Sequence, residues 1–117
     1  MMTNIEVSVN FSNVTLHNLT PHCLNLYTEN GVVAIPSEGV ARASMTTSPI
    51  GTINGTTVYR NTYGAVTGLP EEKEGHVYIV SLATANAVPY RNDVFITNDA
   101  VRDEAGRVVG CRSWAHV

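Results

Sequence analysis

Charge is what this sequence has least of. Asp, Glu, Lys and Arg make up 15% of its 117 residues, where soluble domains usually carry about 25%. Seven basic against ten acidic residues leave a net charge of −3, without the basic excess that a duplex nucleic acid or a polybasic membrane contact requires. No apolar run approaches the ~18 residues needed to span a bilayer. Neither a duplex nucleic acid partner nor a membrane is therefore expected. The opening Met1-Met2-Thr3-Asn4-Ile5-Glu6 has neither the basic segment nor the apolar stretch of a secretory signal, so a cytoplasmic, reducing setting is expected. Cys23 and Cys111, the two cysteines, are then expected as free thiols. The length suits a single domain over residues 1–117 and leaves no room for a second core.

In place of charge stand thirteen Thr, eleven Asn and sixteen Val, a neutral hydrogen-bonding surface on a β-branched background. A mainly β fold is expected, rich in hairpins, as an antiparallel sheet or barrel-like arrangement with one short helix. The sparse charge also suits a homo-oligomer, because charged residues are depleted at the centres of interfaces.

Alternation of Ile5, Val7, Val9 and then Val14, Leu16 with polar residues predicts half-buried strands at the start. Leu24-Asn25-Leu26-Tyr27 and Val32-Val33-Ala34-Ile35 flank Glu29-Asn30-Gly31, which predicts a hairpin joined at Asn30-Gly31 and stopped by Pro36. A short strand is expected over 40–44. Asn54-Gly55, inside Ile50 to Arg60, is the strongest turn signal in the chain, because both residues tolerate positive φ. Glu71-Glu72-Lys73-Glu74-Gly75 reads as an exposed loop, and His76 to Val80 as a central strand. Ser81 to Val88, alanine-rich and closed by Pro89, is the one helix expected. Glu104-Ala105-Gly106 predicts a three-residue hairpin loop that sets Asp103 opposite Arg107. That register would put Val101, Val109 and Cys111 on one face and Arg102, Val108, Arg112 and Trp114 on the other.

Metal chemistry could draw on His17, His22, Cys23, His76, Cys111 and His116, yet no Cys-x2-Cys or His-Glu-x-x-His spacing groups them. No metal and no other cofactor is expected. Gly-x-Ser-x-Gly, phosphate-loop and dinucleotide signatures are also missing. Cys23 and His22 would point to opposite faces of a strand, which argues against nucleophilic catalysis by that pair. The sequons at Asn10, Asn13, Asn18 and Asn54 are read as coincidences of an Asn- and Thr-rich chain.

Six of the seven basic residues are arginines, whose planar fork matches carboxylates and phosphates. In the expected register Arg102 and Arg112 lie about 14 Å apart, close enough to enclose a ligand. Trp114 beside them offers a stacking plate, and Arg60, Arg91 and Asn92 could complete the cleft. Arginine fork plus aromatic plate is a chemistry for phosphate plus base. The competing reading leaves these arginines as surface partners of Asp93, Asp99, Asp103 and Glu104.

At Asn18-Leu19-Thr20-Pro21-His22 the sequence resembles a group of small proteins from bacteriophages, prophages and actinobacteria. The resemblance continues through Arg60 to Pro70, Tyr78 to Ser81, Arg91 to Val94 and Val101 to Val108. Met1 to Asn13 lie outside the pattern, and Cys23 stands where a small or aliphatic residue is expected. A looser similarity, to phage anti-Thoeris sponge proteins, implies a small β-rich oligomer that sequesters a cyclic ADP-ribose-type signal without cleaving it. The expectation is an anti-defence nucleotide-binding protein with a small phosphorylated ligand, a cyclic nucleotide or ADP-ribose derivative. The alternatives are a phage structural or assembly protein whose β edges pair with other subunits, and a small hydrolase using His22 or His76 as general base.

Overall fold

The computed structural model describes residues 13–117, and the strand expected over Ile5, Val7 and Val9 lies outside them. More than half of the described residues are in strands, and there is one short helix, as the composition implies. Six strands form one curled mixed sheet: β1 (Thr15–Asn18), β2 (Leu24–Thr28), β3 (Gly31–Ile35), and then, beyond a long hairpin, β6 (His76–Ile79), β7 (Val94–Arg102) and β8 (Val108–Ala115). Their order is β1-β6-β7-β8-β2-β3. The β1–β6, β6–β7 and β8–β2 pairs are parallel, and the two hairpins β7–β8 and β2–β3 are antiparallel. The second sheet is the hairpin itself, β4 (Arg42–Ile53) with β5 (Thr56–Thr67).

Turn chemistry decides where the strands reverse. Asn54 and Gly55 both adopt positive φ, 49° and 83°, the pair of angles a primed two-residue turn demands. Gly106 sits at φ 82° in the loop where Asp103 and Arg107 exchange backbone and side-chain bonds. The β2–β3 hairpin turns one residue earlier than expected. Its loop is Glu29-Asn30, with Gly31 opening β3 opposite Thr28 and the Thr28 hydroxyl accepting from Asn30 N and donating to Gly31 O.

The short strand expected over 40–44 and the hairpin expected over 50–60 are parts of one continuous β4–β5 ribbon with twelve residues in each strand. Register shifts between Ala43 and Met45 and between Pro49 and Gly51 let β4 continue past Pro49, since a bulge on a strand with a free edge tolerates the missing N–H.

The helix α1 spans Leu82–Ala87. Ser81 caps it by accepting from Thr84 N, and Val88 closes it before Pro89. Its buried Thr84 and Ala85 pack on one face of the sheet, where Leu19, Ala41, Tyr78, Val80, Val88 and Val94 form the core. The Thr84 hydroxyl donates to Ala41 O at 3.0 Å, so the polar group is satisfied inside that core. Val77 and Ile79 are buried on the opposite face of β6. Buried on both faces and paired on both edges, β6 is a central strand, as its apolar run implies.

Candidate functional site

The Asn18-Leu19-Thr20-Pro21-His22 segment forms a closed turn. Asn18 has no exposed surface. Its amide donates to His22 O at 2.7 Å and to Ile35 O at 2.8 Å, while its Oδ1 accepts from both the backbone N and the hydroxyl of Thr20. Ile35 ends β3 and Asn18 ends β1, the two outermost strands of the six. One amide therefore fastens opposite ends of the strand order together. His22 is exposed, and its carbonyl rather than its ring is what the turn uses.

Inside the curl lies a cleft of about 840 Å³. Val77 and Ile79 from β6, with Leu16 from β1, supply an apolar floor. Phe95, Tyr27 and Trp114 add aromatic walls from β7, β2 and β8. Arg112 is the only arginine or lysine along the cleft among the described residues, and Glu29 and His116 stand at its edge. Arg112 meets Asp99 at 3.6 Å with both side chains more than half exposed, a pairing loose enough for a stronger anion to displace. His116 Nε2 donates to Arg91 O at 2.7 Å and its ring meets Phe95 edge-on, which fixes the tautomer and anchors the cleft wall. Tyr27 reaches this position because residue 110 is glycine. A Cβ there would collide with the Tyr27 ring and come within 2.5 Å of Asn25 O.

The structure distributes the expected site residues over three regions. Arg112 and Trp114 face the cleft together. Arg102 does not join them, which corrects the expected register. β7 and β8 begin with Arg102 opposite Val108 but continue with Val101 opposite Gly110, so Val109 is an extra residue. A one-residue slip inverts the side-chain alternation. Arg102 instead donates to Gly106 O within its own loop.

The Arg91 side chain lies outside the cleft, in a separate pocket, where it is committed to structure. Its Nε and guanidinium NH2 make a two-pronged contact with Asp93, 2.8 Å on each arm, and the same NH2 group donates to Pro70 O at 2.9 Å. The hydrogen bond to Asp93 raises the Arg91 pKa above its ordinary value. Asn92 is exposed beside it. Arg60 sits on the β5 ribbon opposite Ser48, outside the cleft. The cleft partners that sequence reading missed, Tyr27 and Phe95, gain their role from the parallel β8–β2 and β6–β7 pairings, which leave no local signature.

A second polar constellation joins β1 to β6. His17 Nδ1 donates to Glu38 Oε1 at 2.9 Å, and His17 Nε2 lies 2.8 Å from His76 Nδ1. The His17 ring also stacks on His76 and Tyr78. With both imidazoles neutral, His76 must donate into His17, which leaves His76 Nε2 as a free lone pair. Among the described residues, no three His, Cys, Asp or Glu side chains are grouped to hold a metal ion. Cys23 is exposed and Cys111 buried, both as free thiols, and burial pushes the Cys111 pKa up. Among the described residues no helix is long and apolar enough to cross a membrane.

No family model, curated protein or solved structure matches the chain.

Proposed function

We propose that the protein binds a small phosphorylated ligand of nucleotide type in the cleft and holds it without cleaving it. One observation carries this reading: Arg112 and Trp114 open into the same cleft, alongside Tyr27 and Phe95. Its volume lies within the range of small-molecule sites, the aromatic rings suit a base, and a guanidinium beside them suits a phosphate. The resemblance to sponge proteins supplies the biological form of the proposal, capture of an anionic host-defence nucleotide.

Trp114 is the only tryptophan, so its fluorescence reports cleft occupancy directly. Titration with a panel of mononucleotides, cyclic nucleotides and ADP-ribose derivatives should quench or shift its emission for at least one member. Mass spectrometry after denaturation should return that ligand intact. Arg112→Lys keeps the charge but loses the fork, and should weaken binding by about 1.5–3 kcal/mol. Arg102→Lys should leave it unchanged. Equal binding by the Arg112→Lys protein, or no response to any member, would sink the proposal.

The hydrolase reading keeps one specific support, the Glu38–His17–His76 chain on the face of β6 opposite the cleft, which could make His76 Nε2 a general base toward a ligand bound outside the cleft. Recovery of a cleaved ligand, abolished by His76→Gln, would favour it over sequestration.

A further inference from the structure

We propose that the β4–β5 ribbon is an intersubunit arm, and that its place is along the outer edge of β3 in a second copy of this chain. The ribbon cannot complete its own burial. No residue of β4 or β5 is buried, and Met45, Ile50, Ile53, Tyr59 and Tyr63 lie in the open, Ile53 with 65% and Tyr59 with 57% of its surface exposed. Two-stranded hairpins of this kind are marginal in water unless something covers a face.

Charge identifies the occupant. Arg42 and Arg60 are the only charged residues in the ribbon, so it carries +2, and the rest of a chain with net charge −3 carries −5. The arm is complementary to the body of its own kind. On that body β3 is the matching surface, because it is an outermost strand and Gly31-Val32-Val33-Ala34-Ile35 holds no charge. Among the described residues no strand pairs with its outer edge, the Asn18 amide taking only Ile35 O at its end, and Val32 and Val33 are exposed. Glu29 and Glu38 flank it in sequence, which places acidic groups where an arriving Arg60 can meet them. Strands left open in this way ordinarily carry lysine, proline or a cover that blocks pairing. Gly31–Ile35 holds no lysine or proline, and no strand among the described residues covers it, which fits strand addition by an arm. The assembly does not depend on what the cleft binds.

The test is oligomeric mass by light scattering and native mass spectrometry at micromolar concentration, with circular dichroism to confirm folding. Wild type should be at least a dimer. Tyr59→Lys on the arm and Val33→Lys on the β3 edge, both at exposed positions, should each give a folded monomer. Arg60→Glu should weaken assembly at least tenfold, and Glu29→Arg in the same chain should restore it. A monomeric wild type overturns the proposal. Assembly that survives either lysine variant, or that responds to the arm alone, also overturns the pairing with β3.

Discussion

The β6 strand and the β4 strand end in opposite environments. Three of the four residues of β6 are buried, whereas none of the twelve in β4 is. β6 lies between β1 and β7, whose paired residues come from 61 positions before it and 16 after it. β4 has only β5, which follows two residues later. Local turn chemistry is therefore sufficient to shape a long ribbon, but burial here comes only from partners distant in the chain. The ribbon is where the fold is cheapest to specify and least finished as a monomer.

The sharpest way to break this contrast is a pair of truncations. Ile79→Ala removes a side chain with no exposed surface and should cost about 2–5 kcal/mol in urea unfolding. A cost below about 1 kcal/mol would mean that the body core is not where the stability resides. Next in size is Asn18→Ala, which strips the donor from His22 O and Ile35 O and should cost about 1–3 kcal/mol. An undisturbed midpoint would show that the clasp between β1 and β3 is dispensable.

Gly110→Ala should cost about 1–3 kcal/mol by overpacking, and it should also change Trp114 emission by displacing Tyr27 from the cleft they share. Cys111 tests burial through titration. Its pKa is raised, so the folded protein keeps the proton that the unfolded chain releases above the ordinary thiol value near 8.5. The associated stability is complete below that pH and is lost as pH rises through the folded value. Thiol reagents at pH 8 should accordingly label exposed Cys23 at once and Cys111 only on unfolding. Smallest of all, Ile53→Ala on the arm should shift the unfolding midpoint of dilute monomer by no more than about 0.5 kcal/mol. A cost like that of Ile79→Ala would erase the distinction between the two regions.

Sequence reading reached the features that are written locally. Asn54-Gly55, Gly106 and the Ser81 to Pro89 helix follow from φ preferences and capping, which act within a few residues of the chain. The length of the ribbon was not legible, because Pro49 and the mixed pattern of 61–67 look like interruptions until a bulge absorbs them. Half of the cleft was also hidden. Arg112 and Trp114 could be paired by alternation alone, but Tyr27 and Phe95 join them only through parallel neighbours. The Glu38–His17–His76 chain depends on the β1–β6 pairing across 59 residues, a separation that no spacing rule covers. Arg91 misled for the opposite reason. Its partner Asp93 is two residues away, and a fork committed to a neighbouring carboxylate looks the same in sequence as one waiting for a phosphate.

The extra residue at Val109 sets the phase of everything that follows it in β8. Upstream, Arg102 and Arg107 serve the hairpin tip; downstream, Arg112 and Trp114 serve the cleft. The two sets occupy one hairpin yet answer to different clients, so the tip can vary in sequence without detuning the cleft. The bulge itself is pinned from outside, by the Asn25 amide donating to Val109 O at 3.2 Å. The address of the cleft arginine is thus kept by a neighbouring strand and not by β8 alone.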